Sequence, residues 1–225
     1  MESAGLPARD PTAGDDVREV RDVRDVRGVG TATPREGWTP ADPGPLGLAA
    51  FALTTFVLSM FNAGLVSDKG EPIVLGLALA YGGIAQLLAG MWEFRTGNTF
   101  GAVAFTSFGA FWLSFWAYVA FYAGEVPAAD AGHAVGLYLI AWGIFTAYMF
   151  VASLRTSVAI AAVFALLTVT FFLLGIGDSG AHENITKAGG YFGLATAAAA
   201  WYASFAAVTN STFGRTVLPV APLNR

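Results

Sequence analysis

Residues 157–176, SVAIAAVFALLTVTFFLLGI, run for twenty positions without one ionisable side chain. A bilayer core about 30 Å thick needs roughly 20 apolar residues to cross it as a helix, so this stretch alone predicts a membrane span. It also lacks the period-2 alternation of apolar and polar residues that a barrel strand requires. Five further runs of similar length lie at about 46–66, 72–93, 100–122, 133–153 and 189–210. Together they predict an all-α, polytopic membrane protein with six transmembrane helices per protomer.

The composition agrees. Of the 225 residues 55% are hydrophobic and 12% charged, against roughly 45–50% and 25% in an average soluble domain. Residues 1–44 hold six of the twelve basic and nine of the sixteen acidic residues, which leaves thirteen charges for residues 45–225. The expected domains are a charged, disordered cytoplasmic tail over 1–44, a transport domain over 45–212 and a cytoplasmic C-terminal tail over 213–225. The first tail carries a tandem tripeptide, Val17-Arg18-Glu19 to Val26-Arg27-Gly28. A period of three drifts around a helix and builds no face, so a solvated tail is expected there. It contains no apolar stretch of signal-peptide length.

Arg95, Arg155 and the segment Arg215 to Arg225 fall on one side of the predicted spans, together with the six N-terminal arginines. Asp68, Lys69, Glu71, Glu125, Asp130, Asp178, Glu183 and Lys187 fall on the other. The positive-inside rule then expects both termini in the cytoplasm of a multi-pass plasma-membrane protein.

Several chemistries are excluded at this level. The chain has no cysteine and two distant histidines, His133 and His182, so a metal site is not expected. A net charge of −4 with no basic cluster argues against nucleic acid. There is no phosphate loop and no catalytic set, so neither an enzyme nor a cofactor is expected.

Polar side chains inside the spans must face protein or water. Phe51, Thr55, Ser59 and Asn62 form one stripe, and Gly82, Gln86, Gly90 and Glu93 another. Thr106, Ser107 and Ser114 stand among aromatic residues of the third run, and Tyr138, Trp142 and Thr146 form a row in the fourth. Small residues four apart, such as Gly76 and Ala80, fit helix packing. Each stripe alone fits a helix contact, while four together fit a mildly polar, aromatic-gated conduit. No ionisable residue stands at the middle of any span, whereas pumps commonly place one there. A substrate that carries its own proton suits such a lining.

Specific motifs go further. Asp42-Pro43-Gly44-Pro45-Leu46-Gly47-Leu48 is similar to the N-P-A-P-L-G-L signature of the acetate uptake transporter family, the family of the bacterial succinate–acetate/proton symporter and its fungal relatives. Tyr81-Gly82-Gly83-Ile84-Ala85-Gln86, Glu93, Gly97-Asn98-Thr99-Phe100-Gly101 and Ala104-Phe105-Thr106-Ser107-Phe108-Gly109 resemble its second and third spans. Trp142-Gly143, Phe145-Thr146 and Phe213-Gly214-Arg215-Thr216-Val217-Leu218-Pro219 continue the match, which covers about residues 42–220.

The resemblance implies a homohexamer with one path per protomer and proton-coupled uptake of acetate and related short carboxylates, including succinate in some members. It implies a hydrophobic constriction at Phe51, Phe108 and Leu167, with Phe108 standing where the bacterial symporter has tyrosine. That change makes the expected gate purely apolar. Asp42 replaces the signature asparagine, and Ala200 keeps the small side chain at a position linked to substrate size. Thr55, Asn62, Tyr81, Gln86 and Thr106 are the candidate substrate-binding residues. Asp42, Pro43, Pro45, Gly47 and Glu93 are the motif positions. The alternative reading is a passive channel for small anionic or neutral solutes, and a non-transporting membrane sensor or scaffold is a more distant one.

Overall fold

The computed structural model describes Trp38 and residues 40–223. The N-terminal charge cluster and its tripeptide repeat lie outside the described residues, as do the last two positions. The chain divides into Met1–Thr39 and Pro40–Arg225, and the second unit holds all the helices that follow.

Six helices are long and apolar enough to span a membrane: α1 (Gly44–Asn62), α2 (Ile73–Thr96), α3 (Thr99–Glu125), α4 (Ala128–Ser153), α5 (Val158–Gly180) and α6 (Glu183–Phe213). Local chemistry sets their ends. Pro45 lies in the first turn of α1, where its missing N–H costs nothing, and Asp42 Oδ1 accepts the Gly44 N–H at 2.8 Å. Gly97 closes α2 in the left-handed region (φ +80°), and Asn98 Oδ1 then caps α3 by accepting the Gly101 N–H at 3.1 Å. Ser157 caps α5 by accepting the Ile160 N–H at 3.3 Å. Short prolyl connections at Pro72 and Pro127 precede α2 and α4.

Most boundaries fall near the expected ones. Three differ in substance, and one of them is α4, which begins at Ala128 instead of residue 133. α1 stops at Asn62, where Ala63 and then Gly64 (φ +71°) turn the chain, and residues 63–66 stay outside it. α6 begins at Glu183 instead of residue 189, so Glu183 and Lys187 lie one turn apart and form an ion pair. Sliding hydropathy misses that turn because its side chains are polar while its backbone is helical.

The helices form a ring. α1 packs between α6 and α2, α2 packs on α3, and α4, α5 and α6 follow in sequence. The seam between α3 and α4 has the sparsest backbone approach and is closed by side chains. There Tyr138 Oη donates to the Phe111 carbonyl at 3.0 Å and lies 2.8 Å from Ser114 Oγ.

Close packing relies on glycine at a few points. Gly90 sits where a Cβ would collide with the Thr106 backbone N and hydroxyl, and Gly47 where it would collide with the Phe105 ring. Between them α2 widens into a π-helical turn at Ala80–Ala85, with Gly82 against Thr54 and Trp112.

Hydroxyls inside the spans mostly bond within their own helix. Thr54, Thr146, Thr168, Thr170 and Thr196 each donate to the carbonyl four residues earlier, at 2.7–2.9 Å. This satisfies the hydroxyl where no water reaches it.

Residues 217–223 return along the bundle. Asn210 Oδ1 accepts the Val217 and Leu218 N–H groups at 2.7 and 2.9 Å, and its Nδ2 donates to the Leu218 carbonyl at 2.8 Å. The carbonyls of Ala221 and Val220 then accept the Val158 and Ala159 N–H groups, at 2.9 and 3.3 Å. The strap therefore satisfies two orphan donors at the start of α5.

Candidate functional site

Two chambers of about 250 Å³ each enter the ring from opposite ends. They are smaller than the roughly 300–1,000 Å³ pockets of drug-sized ligands and suit a molecule of a few heavy atoms. The proximal chamber lies beside the start of α1 and is bordered by Asp42, Pro45, Glu93, Asn98, Phe164 and Val220, among others. The distal chamber is bordered by Phe51, Thr55, Asn62, Trp112 and Leu167, with Glu71 and Asp178 also on its wall.

An aromatic plug separates them. Phe108 is 3% exposed and borders neither chamber. Its ring lies 5.7 Å from that of Phe51 and 6.4 Å from that of Phe171, both on the distal wall. It lies 6.0 Å from Phe164, on the proximal wall, and 5.5 Å from Phe145. Edge, tilted and stacked ring contacts of this kind pack tightly and exclude water. With phenylalanine at 108, that ring brings no hydroxyl to the space between the chambers.

The polar groups divide sharply. In the proximal chamber they are engaged at helix ends. Asp42 and Glu93 flank the first residue of α1: a Cβ on Gly44 would lie 3.0 Å from Asp42 Oδ1 and 3.5 Å from Glu93 Oε1. Negative charge there suits the positive end of the α1 dipole. Glu93 is 2% exposed and its Oε2 accepts from Thr96 Oγ1 at 3.0 Å. Asn98 and Ser157 cap α3 and α5.

In the distal chamber two polar groups are free, while Thr170 donates to the Leu166 carbonyl and Asp178 accepts from Thr186. Thr55 Oγ1 and Trp112 Nε1 are buried without a hydrogen-bond partner among the described residues. Leaving such a group unpaired costs about 1–3 kcal/mol, so each is a candidate contact for a ligand. Glu71, in the connection before α2, has its carboxyl pushed up from the ordinary range by burial and by the neighbouring Asp68 and Asp178.

The other candidates sit elsewhere. Gln86 is buried and Thr106 half-buried, and the buried atoms Gln86 Oε1 and Thr106 Oγ1 also have no partner among the described residues, but neither residue borders a chamber. Thr106 faces Gly90 across the α2–α3 contact. Tyr81 lies in the π-helical turn, half-buried and off both chambers, and Ala200 is fully buried in the core. Asp42 and Pro45 border the proximal chamber, with Pro43 and Gly47 buried beside it.

Residues not singled out from the sequence complete the site. Phe164 and Phe171 lie three residues before and four after Leu167, on the same face of α5, so helical spacing from Leu167 locates both. Glu71 and Asp178 carry no such signal, because their meeting depends on how a loop folds over the bundle.

Known proteins match this arrangement. Residues 29–225 match the GPR1/FUN34/yaaH family. Acetate permease A of Emericella nidulans is 44% identical over 196 residues, which is 80% of this chain and 66% of that protein. The succinate-acetate/proton symporter SatP of Escherichia coli K12 is 42% identical over 180 residues, 80% of this chain and 95% of SatP. The solved structure of the bacterial acetate channel SatP superposes with a TM-score of 0.76 at 41% identity, covering 81% of this chain and all of that one. This chain thus spans nearly all of the bacterial symporter but just under two thirds of the fungal permease. On the family match and on these identities, the chain belongs to the GPR1/FUN34/yaaH family, to which its motifs pointed.

Proposed function

We propose that this chain carries acetate and related short carboxylates, with protons, across a membrane through the path formed in each protomer by the two chambers and the plug. The observation that carries the reading is the distal chamber: small, bounded by dry rings, and holding buried polar atoms with nothing to bond. A bare carboxylate crossing the plug would lose its hydration with no cation to replace it. A protonated acid crosses at far lower cost, and Thr55 can bond either of its oxygens. The names of the E. nidulans and E. coli relatives support the same substrate class.

Phe51, Phe108 and Leu167 form the constriction in this reading, with Phe164 completing it on the proximal side. The assembly is a homohexamer in the plasma membrane, as the family resemblance implies, and large exposed side chains such as Phe94, Leu137, Val151 and Phe205 suit contact with lipid or a neighbouring protomer. Arg95 in the last turn of α2, Arg155 before α5 and Arg215 after α6 stand at the proximal end, against Lys69 and Lys187 at the distal end. That bias supports a cytoplasmic proximal chamber and cytoplasmic termini.

The second reading is a passive channel, favoured by a plug without any ionisable group. Labelled acetate uptake into proteoliposomes, with and without an imposed pH gradient, separates the two. Accumulation above equilibrium that follows the gradient supports coupled transport, equilibration alone supports a channel, and no uptake refutes both.

A further inference from the structure

Glu71 and Asp178 stand apart from every group used so far. They reach the distal chamber from different parts of the chain, one from the connection before α2 and one from the last turn of α5, and both border the space that holds Thr55. They are close enough to act on each other electrostatically. Asp178 has one weak internal bond, from Thr186 Oγ1 at 3.4 Å. The surroundings offer them little positive charge. Asp68 adds to the negative field. Lys187, in the groove that Glu71 also borders, is paired with Glu183. Lys69 lies in the same connection as Glu71 but borders neither that groove nor the chamber. α3 contributes Tyr118 to the chamber wall, α4 the apolar Val135 and Leu139, and α1 the neutral Asn62.

Two carboxylates therefore guard a chamber whose far wall offers a free hydroxyl, on Thr55, and a free indole N–H, on Trp112. Those two atoms suit a carboxyl group as the ligand, while the carboxylates repel it once it is ionised. We propose that Glu71 and Asp178 act as a charge filter at the distal mouth, which admits the neutral acid or monoanion and turns away dianions. The inference rests on the carboxylate-transport reading above. Burial, with the negative Asp68 and Asp178 nearby, holds the Glu71 carboxyl above its ordinary range, so Glu71 keeps its proton where an exposed glutamate has lost it. With Glu71 protonated, the mouth carries less negative charge and a monoanion can pass. As the pH rises and that proton leaves for bulk water, the mouth becomes doubly negative and anion admission falls. A dianion meets twice the repulsion of a monoanion at every pH.

The test compares labelled acetate and succinate uptake across a pH series in proteoliposomes holding the unmodified chain, Glu71→Gln, Asp178→Asn or the double variant. Glu125→Gln, which changes an exposed carboxylate outside the chamber, controls for general surface charge. In the double variant the succinate-to-acetate ratio should rise about tenfold, the equivalent of one pKa unit of electrostatic interaction. Its acetate uptake should also persist to higher pH. Profiles and ratios that superpose on those of the unmodified chain overturn the filter. If the unmodified chain moves no carboxylate, the transport reading fails by itself, and infrared titration of the purified chain still judges the pair. The protonated carboxyl band that Glu71→Gln removes should persist above the pH at which an ordinary glutamate, with a value of about 4.3, has ionised; a Glu71 band that titrates like an exposed glutamate overturns the proposal.

Discussion

The proximal and distal chambers are equal in size and opposite in chemistry. Asp42, Asn98 and Ser157 at the proximal end hold helix N-termini, and Glu93 is bonded by Thr96. At the distal end Thr55 Oγ1 and Trp112 Nε1 hold nothing. The same classes of side chain thus serve architecture in one chamber and stand available to a solute in the other. A polar residue beside a cavity indicates binding only when its bonding capacity is unfilled.

Substitutions can break this contrast or sharpen it. The largest effect is expected at the α2–α3 contact of Gly90 with Thr106, which borders neither chamber. Gly90→Val drives a side chain into the Thr106 backbone and should destabilise the bundle by about 3 kcal/mol, read as a lowered melting temperature in detergent and loss of folded yield. A wild-type melting curve would show that α2 and α3 can separate freely. Thr55→Val comes next. It removes a buried hydroxyl with no partner, so stability should hold or rise by about 1 kcal/mol while acetate uptake falls about fivefold, the equivalent of one hydrogen bond of about 1 kcal/mol. A stability loss with unchanged uptake would make Thr55 architectural and dissolve the contrast. The smallest effect is expected from Asn98→Ala, which should cost about 1 kcal/mol of stability through the lost cap of α3. Uptake per folded molecule should not change; a drop there would put the proximal chamber in contact with substrate.

Much of this was legible in the residues. Six apolar runs fix six spans because their length is dictated by the bilayer, and the stripe of Phe51, Thr55 and Asn62 does border one chamber. The parallel stripe of Gly82, Gln86, Gly90 and Glu93 has equally regular spacing, yet Gly82 packs on Thr54 and Trp112, Gly90 packs on Thr106, and of the four Glu93 alone borders a chamber. Periodicity assigns a face to a helix but does not say what that face meets. Thr54 and Thr55 show the limit most plainly. They are adjacent and chemically identical, and both are buried, but Thr54 bonds the Ala50 carbonyl and Thr55 bonds nothing. Only the three-dimensional neighbourhood separates them. Glu71 and Asp178, more than a hundred positions apart in sequence, meet for the same kind of reason.

The strap after α6 has a consequence for biosynthesis. Val220 forms part of the proximal wall, and its carbonyl holds the start of α5. All six helices are synthesised before that residue. Insertion of the spans therefore does not by itself finish the proximal chamber, whose wall is complete only once the segment through Val220 has folded back onto the start of α5.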